Sequence, residues 1–184
     1  MKTTQAAAVV AAAIARKLTV ATAESLTAGM VAAELATIPG ASGTLQGGVV
    51  SYQSQIKAAV LGVDAELLAR EGAVTEAVAC QMAEGARRVL QADIAVSTTG
   101  VAGPEPHGGR DVGTVWIGIA APHGTWAIEF HFDGDRARIR QQACEAAIRE
   151  LGRAVDDEAA VLSGSWIPGN KNIDSVVIKG VSSC

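Results

Sequence analysis

The sequence predicts a single-domain α/β fold, a three-layer α/β/α sandwich around a mixed sheet, and three observations predict it. Strand-like and helix-like segments alternate through the first hundred residues. Two later strands are separated only by Pro122-His123-Gly124. Of the 184 residues, 49% are hydrophobic and only 3% aromatic, which suits small-residue helices packed on β-branched strands. Alternation calls for parallel crossovers with helices on both sheet faces, and the late hairpin adds antiparallel pairing. A chain of this length buries a sizeable core without metals or disulfides. We place the domain at residues 1–154 and read 155–184 as a peripheral or poorly ordered tail.

Each element has a local reason. Met1-Lys2 and the apolar run 6–15 imitate a short secretory leader, but alanine is a strong helix former and a weak hydrophobe. With Thr3 or Thr4 as a cap, a packed first helix in a cytoplasmic protein is the expectation. No apolar run reaches the length of a membrane span. Residues 18–23 read as a buried strand, and Glu24-Ser25-Leu26-Thr27-Ala28-Gly29 opens a second helix running toward Thr37.

Pro39-Gly40-Ala41-Ser42-Gly43 is a loop, and a short strand, 47–52, leads into 53–61 with Lys57 just past it. In 75–90, Val78, Met82, Ala86 and Val89 recur at helical spacing opposite Glu76, Glu84 and Arg87. Strand 93–98 ends in Thr99-Gly100-Val101-Ala102-Gly103-Pro104, and strands 113–121 and 125–132 form the hairpin. Asp133-Gly134-Asp135 caps a last helix, 136–153. Beyond Val155 the composition turns to serine and glycine, with one strand-like piece at 175–181.

Charge and cysteine usage exclude several functions. A net charge of −4 offers no positive field for nucleic acid, so an anionic ligand must be caught locally. Cys80, Cys144 and Cys184 are widely spaced, which argues against a disulfide framework or a zinc knuckle and makes a reducing compartment the simplest reading. His107, His123 and His131 show no metal-ligand spacing. Neither G-x-G-x-x-G nor G-x-x-x-x-G-K-[ST] occurs, against a dinucleotide or P-loop fold.

In open α/β sheets ligands gather beyond the carboxyl ends of strands, which points to the turns at 24–29 and 99–104. Ser25, between strand and helix, suits a nucleophile beside backbone donors, although Ser25 or Thr27 capping the helix explains the residue types equally. Lys57 is the only lysine between Lys17 and Lys171, where every other basic side chain is arginine. A desolvated lysine can become a base and arginine cannot; an ordinary surface lysine is the alternative. Helical phasing puts Arg136 and Arg140 on the inward arc with Ile139, Ala143, Ala147 and Leu151, so they need an anion: Asp135, Glu150 or a bound phosphate. Gly100 and Gly103 could form a nest of donors or a plain turn.

Six blocks, in order, carry a resemblance. They are Ala23-Glu24-Ser25-Leu26-Thr27-Ala28-Gly29, Gly48-Val49-Val50-Ser51-Tyr52 with Lys57, Gly72-Ala73-Val74-Thr75, Thr99-Gly100-Val101-Ala102-Gly103-Pro104, Val112-Gly113-Thr114-Val115-Trp116, and Gly134-Asp135-Arg136 with Arg140. Together they resemble the CinA C-terminal domain, also called nicotinamide-nucleotide amidohydrolase, over nearly all of the chain except the tail.

The resemblance implies deamidation of nicotinamide mononucleotide to nicotinate mononucleotide and ammonia, in pyridine-nucleotide recycling, by a Ser/Lys dyad without metal or cofactor. It makes Ser25 the nucleophile and Lys57 its base, with Tyr52 and Thr99 orienting or donating near the reacting carbonyl. Glu24, Thr27, Gly29, Gly100 and Gly103 are then expected at the substrate, and Arg136 and Arg140 at its 5′-phosphate. The expected partners are the small nucleotide and other copies in a homo-oligomer, not nucleic acid or a membrane. Some relatives are described only through competence or DNA damage, so the alternative is a non-catalytic nucleotide-binding or regulatory module.

Overall fold

A computed structural model describes residues 4–162 and 181–183. Its core is a six-stranded sheet in the order β2-β1-β3-β4-β5-β6. Strand β1 (Val20–Glu24) lies between β2 (Leu45–Val50) and β3 (Ile94–Gly100) and is parallel to both. Strands β4 (Thr114–Ala121), β5 (Gly124–His131) and β6 (Val181–Ser183) continue the sheet antiparallel. Parallel and antiparallel halves therefore meet at β3. This is the expected mixed α/β sandwich.

Helices α1 (Gln5–Arg16), α2 (Met30–Ala36) and α6 (Arg136–Leu162) cover one face, where Val10, Leu35, Ile117, Ile139 and Leu151 share a core. Helices α3 (Ser54–Leu61), α4 (Ala65–Glu71) and α5 (Glu76–Val89) cover the other, where Ala21, Ala23 and Ala95 meet Leu61, Leu67 and Met82. Each fully buried Leu, Ile or Met contributes roughly 1.5–3 kcal/mol. Alanines on the central strands let α5 lie close. At Gly118 there is no room for a side chain: an added Cβ would meet the α5 carbonyl of Ala79 and stand 2.6 Å from Ser97 Oγ, whose hydroxyl donates to that carbonyl at 2.6 Å.

Four departures from the sequence reading have physical causes. The second helix begins at Met30, because Glu24 completes β1 and residues 25–29 form a turn with φ 52° at Ala28 and 97° at Gly29. Helix α4, not anticipated, is started by Asp64, whose carboxylate accepts from the N–H groups of Glu66 and Leu67. Helix α6 passes the expected boundary at 154, with Ala154 and Val155 both buried. Cys80 is disulfide-bonded, contrary to the reading of the cysteines as reduced, while Cys144 is a buried free thiol. As expected, Thr4 caps α1. Most of the strand-like piece at 175–181 lies outside the described residues.

Candidate active site

The turn carrying Ser25 grows directly out of β1. Ser25 N–H donates to Thr98 O at 2.9 Å, extending the pairing by one residue, and Ala28 N–H closes the turn on Ser25 O at 3.1 Å. What holds the turn is Glu24, only 1% exposed. Its Oε2 accepts from Thr27 Oγ at 2.7 Å, Gly29 N–H at 2.8 Å and Val31 N–H at 3.1 Å. Its Oε1 accepts from Ala32 N–H at 2.9 Å and Thr22 Oγ at 3.1 Å. A carboxylate five residues upstream thus does the capping that the glycine at the N-cap cannot. Neither Ser25 nor Thr27 caps the helix. Glu24 and Thr27, expected at the substrate, instead have their polar side-chain atoms committed inside the protein, Thr27 also bonding Thr98 Oγ at 2.7 Å.

Lys57 reaches the serine from α3. Its side chain is 1% exposed, and Nζ lies 3.0 Å from Ser25 Oγ, 2.6 Å from Ser51 O and 3.4 Å from Tyr52 O. No carboxylate is among these partners, and burial lowers the amine pKa from 10.5 to about 8. Protonated, Nζ donates to all three oxygens; once the proton is lost, its two hydrogens can stay on the carbonyls and leave the lone pair for the Ser25 hydroxyl. The parallel register Glu24↔Val50 brings residues 25 and 51 together.

The remaining candidates surround this pair. Tyr52 is half exposed, and its hydroxyl accepts from Arg136 Nη2 at 2.8 Å while Arg136 Nη1 donates to Gly103 O at 2.7 Å. Arg136 therefore ties the loop after β2 to the loop after β3. It begins α6 and is exposed, not inward as the phasing suggested. Arg140 is half-buried, and Nε and Nη2 donate to Leu26 O at 2.8 Å and Thr27 O at 3.0 Å. Asp135 and Glu150 partner other groups: Asp135 accepts from Arg138 N–H, and Glu150 pairs with Arg149 and Arg153.

Thr99 Oγ donates to Ala73 O at 2.6 Å, so its proton points at the segment before α5. Gly100 ends β3, and Gly103 has φ 84° in the loop that follows. Two contributors went unseen in the sequence. The Ser51 carbonyl is backbone and leaves no mark on residue type. Thr22 was visible as a polar residue two before Glu24, hence on the same strand face.

Among the described residues no group of three His, Cys, Asp or Glu could hold a metal, and no helix is long and apolar enough to cross a membrane. Residues 2–155 match the CinA C-terminal domain. The chain belongs to that family. A CinA-like protein of Frankia casuarinae (strain DSM 45818 / CECT 9043 / HFP020203 / CcI3) is 47% identical over 135 residues, covering 73% of this chain and 31% of that protein. A CinA-like protein of Anaeromyxobacter sp. (strain K) is 49% identical over 150 residues, covering 80% and 36%. The chain thus spans about one third of the length of these CinA relatives.

Solved CinA structures are closer in size. The competence-damaged protein (CinA) superfamily protein from Klebsiella pneumoniae 700603 superposes with a TM-score of 0.79 at 35% identity, covering 83% of this chain and 96% of that one. The competence/damage inducible protein CihA from Agrobacterium tumefaciens gives 0.78 at 34%, covering 83% and 93%.

Proposed function

We propose that this CinA-family chain is a cytoplasmic amidohydrolase that converts nicotinamide mononucleotide to nicotinate mononucleotide and ammonia. The observation that carries the reading is the buried Lys57 amine, without an acidic partner, 3.0 Å from the hydroxyl of Ser25 on a strand-to-helix turn. That arrangement is suited to acyl transfer.

The Ser25 proton passes to Lys57 Nζ as Oγ bonds to the carboxamide carbon, and the carbonyl oxygen takes the negative charge. Lys57 then returns the proton to the amide nitrogen, the C–N bond breaks and ammonia leaves. A water molecule gives its proton to Lys57 and attacks the acyl-serine, and Ser25 leaves as its hydroxyl re-forms. Arg136, exposed at the start of α6 and bonded to two neutral acceptors, Gly103 O and the Tyr52 hydroxyl, is the cation we assign to the 5′-phosphate. The test is purified protein with nicotinamide mononucleotide and, in parallel, nicotinamide riboside. One ammonia per nicotinate nucleotide, with the riboside much poorer, supports the proposal. Nucleotide binding without ammonia release would make the chain a binding module instead.

A further inference from the structure

We propose that two copies of this chain associate through the free edge of the sheet, β2 and the outward stripe of α3 in each copy meeting the same elements of the other about a two-fold axis. Strand β2 ends the sheet and pairs only with β1. Ser51 N–H donates to Glu24 O across that pairing. Backbone groups alternate in direction along a strand, so the N–H and C=O of Gly48 and Val50 point away from β1, at the open edge. The register is regular from Gly47 to Val50, and β2 has none of the Lys or Pro residues that guard exposed edges.

The side chains around this edge are those of a contact surface. Among the described residues the large hydrophobics left exposed are Ile14, Val50, Tyr52, Ile56, Val60 and Val89. Val50 and Tyr52, both about half exposed, lie at and just past the end of β2. Ile56 and Val60 stand one turn apart on α3, beside the buried Lys57 and Leu61. The other two flank the strand: Ile14 lies against Gly40 and Gly43 just before β2, and Val89 adjoins Leu90, which lies against Gly47. Charge is missing from the same surface. Residues 35–63 include one charged side chain, Lys57, which is 1% exposed, in a chain that is 18% charged. Exposed apolar residues are ordinarily scattered singly; gathered on one edge and stripped of charge, they mark an interface.

A second copy fits this edge. Each chain carries a net charge of −4, yet the edge brings no like charges together, and it offers a foreign partner no charge to select. Antiparallel pairing of β2 with its own copy is self-complementary, each outward N–H meeting an outward C=O. The two-fold axis then stands perpendicular to the sheet and puts both α3 helices on the same face, side by side. Tyr52, whose carbonyl faces Lys57 Nζ and whose hydroxyl holds Arg136, lies where this interface borders the candidate active site.

Sedimentation equilibrium of the purified full chain tests the proposal. Wild type should run at twice the chain mass. Ile56→Asp and Val60→Asp should each weaken association at least about 100-fold, since two-fold symmetry places every substitution in the interface twice. If these variants fail to fold, hydrogen exchange on wild type decides: the Gly48 and Val50 amides should be protected where the dimer forms and exchange freely on dilution to monomer. A wild type still monomeric at about 100 μM overturns the proposal, and so does a dimer indifferent to both substitutions or with those two amides unprotected. Protection that persists in the monomer would mean that a segment of the same chain covers the edge, which equally overturns it.

Discussion

A lysine amine held by two carbonyls and a serine hydroxyl has no anion to offset its charge, so its protonation is governed by burial. With the pKa lowered to about 8, kcat/KM should rise with pH and level off above about 8, reporting the free enzyme. A profile flat from pH 6 to 9 would contradict a lysine base. The same shift has a stability consequence. Below pH 8 the lysine is protonated in both folded and unfolded chains, and the folded state bears the full desolvation cost. Between pH 8 and pH 10.5 the folded lysine sheds its proton while the unfolded one keeps it, so stability rises with pH across that window. Relative to Lys57→Met, the wild type should therefore gain about 3 kcal/mol over that interval, measured by denaturant unfolding at both ends.

The Glu24 cap belongs to the element scale. Glu24→Ala leaves three backbone N–H donors of the turn and helix start without an acceptor, and takes one partner from each of the Thr22 and Thr27 hydroxyls. It should lower stability by roughly 2–4 kcal/mol in denaturant unfolding and depress kcat, since the turn that presents Ser25 loosens. Elements with strong periodicity were legible in the sequence: the amphipathic α5, the hairpin β4–β5 and the capped start of α1. Helix α4 was not, because seven residues between Gly62 and Gly72 give too short a run for the period to show. The start of α2 was misplaced because Glu24 reads as the opening of the helix, whereas it ends β1 and reaches the helix N–H groups from the strand. The composition change after Val155 masked the continuing helical spacing of Val155 and Glu158, both buried on α6.

At the scale of the whole molecule, the sheet order gathers the loops after β1, β2 and β3 at one edge, and the first turns of α6 lie across them through Arg136 and Arg140. Ser25 and Lys57 were both readable as candidates, but their distance was not, since it depends on β2 pairing parallel to β1 in one register. The partners of the arginines were equally hidden, being backbone carbonyls and one tyrosine hydroxyl. The fit of α5 against the sheet depends on Gly118. Gly118→Ala should cost roughly 1–3 kcal/mol in thermal or denaturant unfolding, because the new methyl has nowhere to go between Ser97 and the α5 backbone.

The central claim is that Ser25 and Lys57 act as one unit, and the direct measurement is ammonia release from nicotinamide mononucleotide by wild type, Ser25→Ala, Lys57→Ala and the double variant, with a chelator present throughout. The account predicts wild-type turnover unaffected by the chelator, a loss of at least about 10³-fold in each single variant, and no further loss in the double. Substantial turnover in either single variant, or losses that multiply in the double, would contradict it.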